Sequence, residues 1–71
     1  DETLFFRVLR AAFLMRRKTL ANNLQTAFSL PKNDVVSMLV SLGYSSSVRG
    51  EELGISDFAR ISDVIVSFLK P

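Results

Sequence analysis

Cysteine, histidine and tryptophan are all missing from this chain of 71 residues. Without Cys there is no disulfide framework, no thiolate metal site and no thiol nucleophile. Without His, the commonest general base and metal ligand is gone as well. The three glycines, Gly43, Gly50 and Gly54, fall at turn positions, and no Gly-rich phosphate or dinucleotide loop can be assembled from them. The one close carboxylate pair, Glu51-Glu52, consists of neighbours that point apart on any regular element and reads as a solvated turn. No catalytic, cofactor-binding or metal-ligating set is therefore assigned. No apolar run approaches the roughly 18–20 residues that span a bilayer, so no membrane partner is expected. The acidic start Asp1-Glu2-Thr3 is not the basic beginning of a secretion signal and reads as a boundary within a longer protein. A cytoplasmic location fits these absences.

What is present is apolar and unevenly charged. Hydrophobic residues make up 48 % of the chain, which argues against disorder. The length allows one domain over residues 1–71 that buries roughly 60 % of its unfolded surface, enough for a modest core but no deep active-site cavity. The net charge is only +2, yet Arg7, Arg10, Arg16, Arg17, Lys18 and Lys32 face just Asp1 and Glu2 in the first half. From Asn33 onward, Arg49, Arg60 and Lys70 are outnumbered by five carboxylates. A split of this kind fits either a face built for an anion or a solvated basic surface.

The apolar spacing predicts four helices. Phe5, Val8, Leu9, Ala12 and Phe13 form an amphipathic stripe with Thr3 as N-cap, and Leu20, Ala21, Leu24, Ala27 and Phe28 form a second. At ~100° per residue the two stripes face different directions, so a break near Leu14–Lys18 is expected. Pro31 opens a third helix carrying Val35, Val36, Leu39, Val40 and Leu42, stopped by Gly43 at C′. Residues 44–54 form a connector with one possible short turn at Glu51–Leu53. The last helix has Ser56 as N-cap, Asp57 in its first turn, and Phe58, Ile61, Ile65, Phe68 and Leu69 as its apolar face. The result is an all-α domain of four main helices with a possible extra short turn. The phenylalanines are read as core, with Phe6, which falls off the first stripe, left open.

Arg16-Arg17-Lys18 is the informative cluster, supported by Arg7 and Arg10. Three cations beside the N-terminus of the second helix sit at the wrong end of its dipole, at a cost of roughly 0.3–1 kcal/mol each. A phosphate would relieve the repulsion and take first-turn N–H groups, and Arg adds a fork suited to bidentate contact. The competing reading is a solubilising kink.

Phe5-Phe6-Arg7-Val8-Leu9-Arg10-Ala11-Ala12-Phe13, then Arg16-Arg17-Lys18-Thr19-Leu20 and Asn22-Asn23-Leu24, resembles the start of the C-terminal domain of KsgA/Dim-type small-subunit rRNA adenine dimethyltransferases. Arg49-Gly50-Glu51-Glu52-Leu53 and Phe58-Ala59-Arg60-Ile61-Ser62 resemble that domain's later motifs, with Ile61 at a position usually held by Leu. The resemblance implies that S-adenosylmethionine and the catalytic motif belong to a Rossmann-like domain absent from this chain. It implies that this domain, inactive by itself and a monomer, docks its enzyme on the immature small ribosomal subunit. Arg16, Arg17 and Lys18, with Arg7 and Arg10, are then the RNA-binding residues. Asn22 and Asn23 either touch RNA or cap the kink, and Arg49 and Glu51 are read as a local ion pair or cap.

Two other readings compete. A helix-turn-helix DNA-binding domain would use Asp34–Leu42 for recognition, an apolar segment that offers no Arg, Asn or Gln for base edges. A protein-interaction module would use an exposed patch of Phe6, Leu14 and Met15.

Overall fold

Helix α1 (Glu2–Ala12) turns Leu4, Val8, Ala11 and Ala12 inward, a spacing of three and four residues that keeps one face of the helix on the core. The computed structural model describes residues 2–69. Helix α2 (Leu20–Phe28) contributes Leu20, Ala21, Leu24 and Phe28, and α3 (Lys32–Ser41) contributes Val35, Met38 and Leu39. A single 3-10 turn at Gly50–Glu52 interrupts the connector before α4 (Ile55–Leu69), which buries Phe58, Ile61, Ser62 and Ile65. The described residues contain these four α-helices and no strand, the all-α architecture expected. Helix α1 packs against both α4 and α2, α2 against α3, and α3 lies more lightly on α4. One apolar cluster serves all four, with Val48 of the connector joining it.

The boundaries differ from expectation in instructive ways. Thr3 and Ser56 lie inside α1 and α4 and do not cap them. At α4 the cap comes from further along: the Asp57 carboxylate accepts the Gly54 N–H at 2.9 Å, reaching back from the first turn. Pro31 precedes the first turn of α3 as its N-cap and does not belong to the turn. Gly43 has φ 95°, the left-handed conformation expected of a residue that ends a helix. The break between α1 and α2 falls at residues 13–19, where expected.

The largest correction concerns the aromatics. Phe28 and Phe58 are buried and Phe5 is partly so. Phe6, Phe13 and Phe68, by contrast, are exposed by 52 %, 47 % and 37 %. Helix α1 ends at Ala12, so Phe13 has left the helical stripe to which its spacing assigned it. Val40 and Ala27, also assigned to inner stripes, face outward.

Candidate nucleic-acid interface

The break that carries the basic cluster is built by its neighbours. After Ala12 the chain tightens through N–H bonds from Phe13 to the Arg10 carbonyl and from Leu14 to the Ala11 carbonyl. One buried amide then takes the Ala12 and Met15 carbonyls, the latter also accepting the Lys18 N–H at 3.0 Å. Asn23 Nδ2 donates to the Ala12 oxygen at 3.1 Å and to the Met15 oxygen at 3.2 Å. Asn23 is therefore the kink's cap, while Asn22 stays partly exposed.

The connector holds the same place from the other side. A Cβ at Gly50 would stand 2.8 Å from the Ala12 carbonyl oxygen, so only glycine lets the two backbones meet there. Two residues earlier, the Val48 carbonyl accepts the Leu20 N–H at 2.9 Å. The two sequence strings that carried the resemblance thus meet in space at the α1–α2 break. Within the connector, the Arg49 N–H donates to the Glu52 carboxylate at 2.8 Å. Glu52 closes this turn, and not Glu51 as expected.

These contacts overturn one expectation about anion binding. The first turn of α2 is already occupied: Thr19 Oγ1 accepts the Asn22 N–H at 3.3 Å and Val48 takes that of Leu20. Ala21, the remaining first-turn residue, is 1 % exposed. A phosphate has no helix-terminal amide to reach, and any contact must come from side chains. The electrostatic penalty is also smaller than the dipole of α2 alone suggests. The same cations follow the C-terminus of α1, where positive charge is favourable.

The side chains are well placed for that contact. Arg7, Arg10, Arg16, Arg17 and Lys18 are all exposed, and none makes a side-chain hydrogen bond or ion pair among the described residues. Arg7 stacks its guanidinium over the Phe28 ring, 4.7 Å from the centroid, which holds the charged group in place while the residue stays exposed. Leu14 is the common point. It borders one shallow depression with Arg7 and Arg10, and a second of about 580 Å³ with Arg16, Arg17 and Lys18. A third, about 520 Å³, adds Phe6 and Phe13. The five cations expected from the sequence therefore share one surface. On α3, the exposed face carries Lys32 but also Asp34 and Val40.

One cluster was not foreseen. The Tyr44 hydroxyl donates to Asp57 at 2.6 Å, and Arg60 reaches both the Tyr44 oxygen and the Leu42 carbonyl, at 3.3 and 3.1 Å. Burial, then the bond to Asp57, pushes the Tyr44 hydroxyl pKa up. The bond from Tyr44, with that from the Gly54 N–H, holds the Asp57 carboxyl below its usual range. The cluster ties the end of α3 to the start of α4, a structural task, and no periodicity announces residues that meet across a loop.

Similar proteins are found by sequence. The chain is 50 % identical over 68 residues to "Ribosomal RNA small subunit methyltransferase A" of Streptococcus thermophilus, covering 92 % of this chain and 23 % of that protein. Proteins of the same name from Listeria monocytogenes and Lachnoclostridium phytofermentans are 44 % and 40 % identical, each over 99 % of this chain and 25 % of theirs. No family model matches, and no solved structure does. Over nearly its whole length, then, the chain belongs to the small-subunit rRNA methyltransferase A family, spanning about a quarter of the length of its members.

Proposed function

We propose that this chain is the rRNA-contacting domain of an S-adenosylmethionine-dependent adenine dimethyltransferase, and that it docks the enzyme on the small ribosomal subunit. The observation that carries this reading is the convergence of Arg7, Arg10, Arg16, Arg17 and Lys18 around Leu14, all exposed and unpaired among the described residues. Phosphate is the partner such a surface suits, because Arg and Lys contacts release counterions from the RNA backbone whatever its sequence. The methyl donor does not belong to this part of the enzyme. Gly43 ends a helix, Gly50 meets Ala12 and Gly54 precedes α4, its N–H taken by Asp57, so no glycine is left to cradle it. In this reading the domain is a cytoplasmic monomer that positions the catalytic part and performs no chemistry. No described helix is long and apolar enough to cross a membrane.

The test is the triple replacement Arg16→Ala, Arg17→Ala, Lys18→Ala in the intact enzyme. Binding to the immature small subunit should weaken, and the slope of log affinity against log salt should flatten by about 0.7–0.9 per lost contact. Cofactor affinity and melting temperature should stay where they are, since the three side chains hold nothing in the fold. Unchanged affinity and slope would show that the cluster only solubilises the kink. A large fall in melting temperature would show that it is structural.

A further inference from the structure

We propose that two unpaired RNA bases stack on Phe6 and Phe13, with Arg10 between them taking the phosphate that links their nucleotides. This rests on the RNA-contacting reading above and deepens it, from a backbone contact to a site for single-stranded RNA.

Four observations carry it. First, Phe6 and Phe13 are half exposed, 52 % and 47 %, although burying an aromatic ring is favourable. Second, each exposed ring is braced by an inner one. Phe6 meets Phe5 edge to face at 5.4 Å between centroids, and Phe13 lies against buried Phe58 at 6.0 Å. A ring so held loses little freedom when a base settles on it. Third, Phe6, in the middle of α1, and Phe13, just past its end, line one depression together with Arg10. Fourth, the depression lined by Phe6, Leu9, Arg10, Phe13 and Leu14 contains no carboxylate, and it adjoins the Arg16–Lys18 depression at Leu14. An apolar surface rimmed by cations alone suits a ligand with flat apolar faces and a negative backbone. A protein partner is the other kind of occupant, but the residues lining this depression offer no carboxylate for its cations.

The experiment uses the chain itself with two probes, single-stranded hexaadenosine RNA and a blunt RNA duplex of the same total charge. The single strand should bind more tightly. Phe6→Leu and Phe13→Leu should each weaken that binding by about 5-fold or more, in line with the worth of a stacked base, with the salt slope unchanged. Nuclear Overhauser contacts should join the Phe6 and Phe13 ring protons to adenine protons. The basic triple replacement should do the reverse, flattening the slope while those contacts persist at low salt. Phe6 lies on the outer face of α1, so its replacement separates lost stacking from lost packing against Phe58. If both probes bind equally and neither Phe variant changes affinity, stacking is wrong, the basic surface stands, and the aromatic patch faces protein. If only Phe13→Leu weakens binding, and the melting temperature falls with it, the proposal also fails. If the chain binds neither probe at any salt, RNA contact by this domain fails and the stacking site fails with it.

Discussion

Ser29 is the one described residue other than glycine with a positive φ, 55°, and it ends α2. Its N–H and that of Leu30 both return to the Gln25 carbonyl, the usual way a helix closes in the left-handed conformation. A side chain there costs about 1–2 kcal/mol, whereas glycine would cost about 0.4–1 kcal/mol through the freedom it adds to the unfolded chain. The difference decides the sign. Ser29→Gly should stabilise the protein by about 0.5–1 kcal/mol, read as a rise in the urea midpoint at constant m-value. Residue-scale features of this kind were only partly legible in the sequence. Gly43 announced itself because glycine is the common residue at that position, and Ser29 did not because serine is not. Phe13 misled for a related reason: its spacing matched the stripe, but the helix stops one residue short of it.

At the scale of elements, the decisive object is the junction where α1 ends, α2 begins and the connector crosses both. The sequence showed that a break was needed, because the two apolar stripes point in different directions. It could not show the clamp, because Asn23, Val48 and Gly50 are brought to Ala12 and Leu20 only by the fold. That clamp should be intolerant of bulk. Gly50→Ala puts a methyl 2.8 Å from a backbone oxygen that cannot rotate away, so one of the two segments must move. A loss of about 1–3 kcal/mol is expected in chemical denaturation. RNA affinity should fall further than the unfolded fraction alone accounts for, since the basic segment hangs from Ala12 and Thr19. An effect below about 0.5 kcal/mol would mean that the two backbones are not in contact. Asn23 has its own cost here, since its Oδ1 is buried without a partner. The amide is held for its donor half.

For the whole molecule, stability should carry a pH signature set by the contacts that bind α4 to the end of α3. The folded state lowers the Asp57 pKa, chiefly through the Tyr44 hydroxyl, so this contribution is present above pH ~4 and is lost as pH falls through the lower folded value. The folded state raises the Tyr44 pKa, so that contribution is complete below pH ~10 and is lost as pH rises through the higher folded value. Melting temperature against pH should therefore decline at both extremes. Tyr44→Phe should flatten the alkaline decline and shorten the acid one, leaving the bond from the Gly54 N–H to Asp57 in place. An unaltered profile in that variant would show that the hydroxyl bond contributes nothing to folding. The overall architecture was the most legible level of all, since four stripes and two turn signals suffice for it. The charged surface was legible as a list of residues but not as a place: Leu14 was marked only as the start of the break and part of an apolar patch, and its meeting with the cations is made by the fold.

The segment between Ala12 and Thr19 is pinned at both ends, by Asn23 and Gly50 on one side and by the α2 cap on the other. A ligand arriving there finds the backbone already confined, and only side-chain rotamers remain to be ordered, at no more than about 2 kcal/mol for each Arg or Lys. Capture becomes a matter of many quick, reversible adjustments of long side chains above a rigid floor. In the docking role proposed above, such a surface would follow a backbone of varying curvature without refolding and release it as readily as it takes hold.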